Sequence, residues 1–298
     1  MNNKKLNISL GSILFKSLAM LFITISVTFS WFVFTKDTDI NSIISSVTKA
    51  GSVSISKDGE IWGSKLELNI DSGNLTITEY SGNGDYLYLP IIEGREVIGY
   101  FLPNDTTVMS SPGYLEAKVI IKTDIPIHLY LSQESTISPV DLDNPLDYIA
   151  GALRVSIIAE GQDPFIWAPN ATYQLNDDGT VNPNGQAESK YSYVKNNNIN
   201  NNNVIENTEE NLVIIDNSEQ NAFGVSDDKR FVWGNLLDID NYEYEVLPIF
   251  STDKELTGVL QKEITIRIWV EGTDREAVSS LLGGKFNIKL SFLAVGNN

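Results

Sequence analysis

Short segments that alternate between apolar and polar residues, or that are rich in β-branched residues, recur along most of this 298-residue chain. A period of two puts the apolar side chains of a strand on one face, and turn residues separate the segments, as in antiparallel sheets. The predicted strands are SVSIS (52–56), KLELNI (65–70), NLTITEY (74–80), YLYLPII (86–92), EVIGYFL (96–102), YLEAKVIIKT (114–123), IPIHLYLS (125–132), ALRVSIIA (152–159), NLVIID (211–216), YEYEVLPIF (242–250), ITIRIWV (264–270) and FNIKLSFLAV (286–295). The pattern predicts a mainly β protein, an antiparallel β-sandwich of the jelly-roll or Greek-key kind.

Two helices and one long loop are predicted among these strands. In EGTDREAVSSLLGGKF, Thr273 and Glu276 have capping-box spacing, and two glycines follow as a left-handed stop. A short helical turn is predicted in NPLDYIAGAL (144–153), where Asn144 is placed to cap and a proline takes the first helical position. The asparagine-rich segment 193–211 is too polar to form a core and is predicted to be an exposed low-complexity loop.

The N-terminal region predicts a membrane segment. Residues 1–16 carry lysines as their only charged side chains, and residues 17–35 carry no charge and are long enough to cross a hydrocarbon core. By the positive-inside rule, residues 1–16 form a cytoplasmic basic segment, residues 17–35 a transmembrane or signal segment, and residues 36–298 an extracellular domain. The expected location is the cell membrane, with that domain outside.

The sequence is compatible with an apolar segment that is retained as an anchor and with one that is cleaved. Its length, and the aromatic side chains of Trp31, Phe32 and Phe34 at its end, favour a retained anchor. Thr28 and Ser30 in TFSW have the small-x-small spacing of a cleavage site, so the alternative is a secreted protein.

Composition limits the chemistry that is available. The net charge of -18 disfavours nucleic acid and anionic lipid headgroups as partners. The chain contains no cysteine and one histidine, His128, so the serine, cysteine and zinc hydrolase templates fail and a non-enzymatic protein is predicted. On an alternating strand, His128 is expected to be a surface or packed residue rather than a ligand.

Carboxylates and aromatic residues are the remaining candidates for binding. Asp141, Asp143 and Asp147 lie in SPVDLDNPLDY, where oxygen ligands at alternate positions suit calcium better than a glycosidase pair. Calcium is therefore the candidate cofactor, although no EF-hand pattern is present. The aromatic residues are predicted to be mostly core, but an exposed cluster would favour a carbohydrate-binding module. The residues concerned are Trp62, Trp167, Trp233, Trp269, Tyr86, Tyr88 and Tyr242.

Four stretches in order resemble a group of Gram-positive surface proteins. They are FVFTKDTD (32–39), DYIAGALRVSII (147–158), FIWAPNATY (165–173) and ITIRIWVEGTDREAVSSLLGGKFNIKLSF (264–292). The group consists of secreted or membrane-tethered proteins related to the TasA and camelysin-like biofilm matrix family. The resemblance implies a jelly-roll ectodomain and, as in the matrix proteins, polymerisation into extracellular fibres. The metallopeptidase activity ascribed to camelysin relatives is not carried over, because the chain has no recognisable set of zinc ligands.

The segment that follows the membrane run suggests how assembly would occur. Residues 40–47 are β-branched, serine-rich and uncharged, and Gly51 follows them as a natural hinge. Such a segment can complete the sheet of a neighbouring copy and grow a fibre, or it can pair within its own domain. The predicted function is a cell-surface structural protein whose partners are its own copies or other surface proteins, with a surface carbohydrate-binding module as the alternative.

Overall fold

A computed structural model describes the greater part of residues 40–297. The described residues are 40–48, 53–68, 80–82, 84–93, 96–101, 114–169, 174–175, 181–182, 189–194, 204–206, 212–217, 224–226, 229–236, 246–272 and 284–297. All of them belong to one compact unit, Asp37–Asn298. The predicted segments 1–16 and 17–35 and the predicted helix around residues 273–283 lie outside the described residues. Within those residues, no helix has the length and apolar character needed to span a membrane.

The described chain is built from strands and one 3₁₀ helix, Pro145–Ala152. The strands are β1 Ile40–Thr48, β2 Ser54–Ser56, β3 Lys65–Leu68, β4 Ser81–Gly82, β5 Leu87–Glu93, β6 Glu96–Phe101, β7 Leu115–Thr123, β8 Ile127–Leu131, β9 Thr136–Pro139, β10 Leu153–Ala159, β11 Phe165–Ala168, β12 Gln174–Leu175, β13 Val181–Asn182, β14 Ser189–Val194, β15 Val204–Glu206, β16 Leu212–Asn217, β17 Gly224–Val225, β18 Phe231–Trp233, β19 Phe250–Ser251, β20 Leu260–Val270 and β21 Phe286–Gly296. The prediction of a mainly β protein is therefore confirmed.

Two sheets hold most of the strands. The first has the order β19-β8-β21-β1-β3, with β9 also paired to β21, and the second has the order β17-β18-β11-β10-β20-β7-β2. A smaller sheet has the order β15-β6-β5-β4, and the pairs β12–β13 and β14–β16 stand as separate ribbons. Most pairs are antiparallel, whereas β1–β21 and β11–β18 are parallel. The architecture is therefore a set of mainly antiparallel sheets.

The two large sheets share one hydrophobic core. On β20, Ile264, Ile266 and Ile268 are buried, while the residues between them are only partly covered. Phe292 on β21 and Ile127 on β8 join the same cluster from the first sheet. Because both sheets contribute one apolar face to a common core, the arrangement is sandwich-like. Burying each of these large side chains stabilises the fold by about 1.5–3 kcal/mol.

A second, smaller cluster covers the other face of the seven-stranded sheet. Tyr80 and Leu87 pack there against Ile166, Phe231 and Trp269, which belong to three strands of that sheet. Strands β10, β11 and β20 are consequently buried on both faces at this point. This explains why ALRVSIIA and FIWA read as nearly continuous apolar runs rather than as clean alternations.

Some local predictions are confirmed and others are corrected. The helical turn in 144–153 is present, because Asn144 caps it by accepting a hydrogen bond from Leu146 N. The predicted strand 242–250 is wrong in its described part. Strand β19 begins only at Phe250, although Ile249 N already donates to the Leu129 carbonyl oxygen. Before it, Leu247 N donates to the Lys229 carbonyl oxygen instead of to β8, and Pro248 has no N–H to donate. The predicted loop 193–211 contains a strand, β15, which pairs with β6.

Candidate functional site

Strand β1 occupies an interior position in the first sheet. It runs parallel to β21, with Ile43 opposite Ile288 and Thr48 opposite Leu293. On its other side it runs antiparallel to β3, with Ile43 opposite Leu68. The predicted pairing segment 40–47 therefore forms a strand within its own chain, filling a slot between two others.

Strand β21, which forms one wall of this slot, is largely buried. Phe286, Ile288, Leu290 and Phe292 on β21 are each at most 2% exposed and lie in the main core. The opposite edge of β21 is paired with β8 and β9 in series. Without β1, the backbone groups along the other edge of β21 would therefore lose their strand partner.

Two serines form hydrogen bonds with the opposite edge of β21 in the gap between the end of β8 and the beginning of β9. Ser132 N donates to the Ser291 carbonyl oxygen at 2.7 Å. The Ser135 hydroxyl donates to the same oxygen at 3.2 Å and accepts from Ser291 N at 2.9 Å. A side chain thus replaces a backbone partner at the break between β8 and β9. No sequence pattern predicted this serine contact.

The three candidate calcium ligands occupy different environments. Asp147 is 1% exposed, and its carboxylate accepts hydrogen bonds from Asp141 N at 2.9 Å, Asn144 Nδ2 at 2.8 Å and Lys285 N at 2.8 Å. Asp141 and Asp143 are exposed, and Asp141 Oδ1 accepts from Asp143 N at 2.9 Å. Asp147 lies in the 3₁₀ helix and connects the turn after β9 to Lys285, the residue before β21.

The calcium site itself stays a prediction. Within the described ranges, no group of three or more histidine or acidic side chains is placed to hold a metal ion. Asp147 directs its oxygens at N–H donors, so any cation here would depend mainly on the exposed carboxylates of Asp141 and Asp143.

His128 lies on β8 beside the edge strand β19. It is half-buried, and its Nδ1 lies 2.7 Å from the Ser251 hydroxyl oxygen of the paired strand. Its ring also contacts Tyr130, with the ring centroids 6.4 Å apart. His128 is thus a packed, hydrogen-bonded residue of the sheet, which agrees with the expectation of a surface or packed residue.

The aromatic residues are mostly packed. Trp167 and Trp269 are each 2% exposed, and Tyr88 is fully buried. Trp62 is half-buried under Lys122, whose Nζ lies 4.0 Å from the ring centroid. Of the named aromatic side chains that the structure describes, Tyr86 alone is exposed, at 38%. Tyr242 lies outside the described residues. The described aromatic residues are therefore mostly packed, as predicted, although Tyr86 is exposed and Trp62 and Trp233 are half-buried.

Comparison with known proteins adds no relative. No protein-family model, curated protein or solved structure matches this chain. The resemblance to the TasA and camelysin-like group stays a prediction that rests on the four sequence stretches.

Proposed function

We propose that this chain is a non-enzymatic structural protein of the bacterial cell surface that assembles by strand addition. In this proposal residues 17–35 hold it in the membrane, or are cleaved to release it, and the jelly-roll ectodomain stands outside the cell. The support comes from the apolar N-terminal run, the acidic composition without cysteine, and the resemblance to biofilm matrix proteins.

The observation that carries the proposal is the position of β1. It is the first described strand, yet it lies between β21 and β3 in the middle of a sheet. A strand can leave such a slot and be replaced by the same strand of another copy, because the backbone bonds are identical in both cases. Repetition of that exchange from copy to copy is head-to-tail and gives a fibre.

The register of β1 supplies a direct test. Ser46 on β1 lies opposite Lys65 on β3, and the chain has no cysteine of its own. In the double variant Ser46→Cys with Lys65→Cys, oxidation forms a disulfide within one chain when β1 pairs with the β3 of its own chain. It joins neighbouring chains into a covalent ladder when β1 is exchanged.

The expected result is a ladder on a denaturing gel from assembled material, together with filaments by electron microscopy. The matched control is Lys118→Cys with Thr265→Cys, a cross-strand pair of β7 and β20 that takes no part in the exchange and closes within one chain. A unit beginning at Asp37 should form filaments, and one beginning at Gly51 should not. If every sample forms disulfides only within single chains and sediments as a monomer, the proposal is rejected.

A further inference from the structure

Strand β3 depends on β1 for its place in the sheet. It stands at the end of the order β19-β8-β21-β1-β3, and across the described strands its ladder partner is β1 alone. Whatever occupies the slot beside β21 therefore also decides whether β3 has a backbone partner.

The beginning of β3 is anchored independently of β1. Ile55 N donates to the Gly63 carbonyl oxygen at 2.8 Å, and Gly63 N donates back to the Ile55 carbonyl oxygen at 3.0 Å. Trp62 is fixed beside it, because its Nε1 donates to the Gly59 carbonyl oxygen at 3.0 Å and Lys122 covers its ring. Gly63 is thus tied to the seven-stranded sheet, whichever way the next residues turn.

The described side chains at the start of β3 are little buried. Ser64 and Lys65 are exposed, and Leu66 is half-buried against the main core. For residues 64–66, this burial is too small to offset the conformational entropy lost when they are ordered. The pairing with β1 must therefore supply much of the stabilisation at the start of β3.

We infer that β3 is a strap, hinged at Gly63 and Ser64, that closes over the strand in the slot beside β21. When the slot is empty the strap swings away, so an incoming strand adds sideways to β21 and β3 closes afterwards. With its own β1 in place the strap locks the monomer. The extension to the β1 of a second copy rests on the proposed function.

Amide hydrogen exchange in increasing denaturant tests the strap in the unit Asp37–Asn298, which contains both hydrophobic clusters. The amides of residues 66–68 should lose protection together with those of β1, at denaturant concentrations where β21 and β7 remain protected. Protection of β3 that persists after β1 has exchanged would overturn the inference. Loss of β1, β3, β7 and β21 in one step would also overturn it.

A chain that begins at Gly51 gives the second measurement, with a synthetic peptide of residues 37–50 as the probe. Without peptide, exchange at residues 66–68 should rise on the order of 100-fold, whereas β7 is unchanged. The peptide should restore protection, and a peptide carrying Ile44→Pro should not. Residues 66–68 that stay protected with the slot empty would refute the strap. If the Gly51 chain does not fold, the denaturant experiment decides alone.

These outcomes are separable from those of the assembly proposal. A strap that closes over β1 or the peptide, in a protein that gives only monomers and self-closed disulfides, would keep this inference and reject the fibre. Covalent ladders with a β3 that never opens would keep the fibre and reject the strap.

Discussion

The buried carboxylate of Asp147 accepts a 2.8 Å hydrogen bond from the backbone N–H of Lys285, the residue before β21 begins. The same carboxylate accepts from Asp141 N and from Asn144 Nδ2. Val140 N in turn donates to the Lys285 carbonyl oxygen at 3.1 Å. The turn after β9 is thereby fixed against the first residues of the strand that forms the wall of the β1 slot.

Replacement of this carboxylate should destabilise the whole domain. Asp147→Asn turns an acceptor into a donor that faces N–H groups, so we expect the free energy of unfolding to fall by about 2–3 kcal/mol in urea titration. Asp143→Asn, at an exposed position of the same turn, is the matched control and should change stability by less than about 0.5 kcal/mol. Equal losses in the two variants would contradict the role given to Asp147.

Gly224 is required by the ring of Trp233. The two residues face each other on β17 and β18, and a Cβ atom on the glycine would overlap the indole. We expect Gly224→Ala to lower the free energy of unfolding by about 1–3 kcal/mol, because the indole must move. In a Trp233→Ala background the same change should cost much less, and thermal or urea unfolding of the four proteins measures this coupling.

Gly161→Ala measures the cost of backbone strain at a position where no neighbouring atom crowds the new Cβ, in contrast to Gly224. Gly161 has a φ of +74°, and a Cβ there would meet nothing within 4 Å. Its substitution should cost about 1–2 kcal/mol through the left-handed conformation alone, and by the same amount with or without Trp233. A cost of Gly224→Ala that is equally indifferent to Trp233 would refute the packing explanation.

Two buried tyrosines should make the domain sensitive to alkali. Burial raises the pKa of Tyr88 and of Tyr100 from 10.0 to about 12. The charges of Tyr86 and Asp85 contribute less at Tyr88, and the charge of Glu271 contributes less at Tyr100. Because the folded-state pKa lies above the unfolded one, the stabilisation is complete below pH 10 and is lost as pH rises through about 12. The loss should be on the order of 2 kcal/mol for each tyrosine.

Phenylalanine substitutions isolate that effect. Tyr88→Phe and Tyr100→Phe should each flatten the fall in unfolding free energy above pH 10, as followed by circular dichroism with phenolate absorbance. Tyr86→Phe removes an exposed phenol whose charge adds to the raised pKa of Tyr88, so it should flatten the alkaline slope less than Tyr88→Phe does. An unaltered slope in both buried variants would show that other groups control alkaline unfolding.

The sequence predicted strands more reliably than their partners. The strict alternation in ITIRIWV marks β20, because every second residue enters the main core. Nothing in the period of residues 40–48 specifies that β1 lies parallel to β21, since parallel neighbours are brought together by the whole intervening domain. Strand β15 was hidden for a related reason: its Val204 and Ile205 sit within an asparagine-rich stretch, where local composition outweighed their β-branched side chains.

The acidic turn shows the same limit at a site. Alternate aspartates predicted oxygen ligands, and Asn144 correctly predicted the helix cap. The spacing could not predict that Asp147 would be buried while Asp143 is exposed. The buried carboxylate of Asp147 accepts from the backbone N–H of Lys285, which lies far along the chain. Long-range partners of this kind have no signature in a single sequence.

The side chain of Arg267 binds the turn before β5 to the seven-stranded sheet. The directions of its hydrogen bonds depend on the planar guanidinium group. Its Nη1 donates to the carbonyl oxygens of Gly84 and Asp85 at 3.0 and 2.7 Å, and its Nε donates to Glu116 Oε2 at 2.8 Å. Lysine keeps the charge but has no planar fork that reaches three oxygens in these directions.

We therefore expect Arg267→Lys to lower the free energy of unfolding by about 1–2 kcal/mol and to speed amide exchange at β4 and β5 before it affects β7. Lys289→Ala is the matched control. Its 3.4 Å ion pair with Glu134 is solvent-exposed, so its removal should cost less than about 0.5 kcal/mol. If Arg267→Lys is as mild as Lys289→Ala, or if exchange rises equally in β5 and β7, then the small apolar cluster of Tyr80 and Leu87 holds this layer without the arginine.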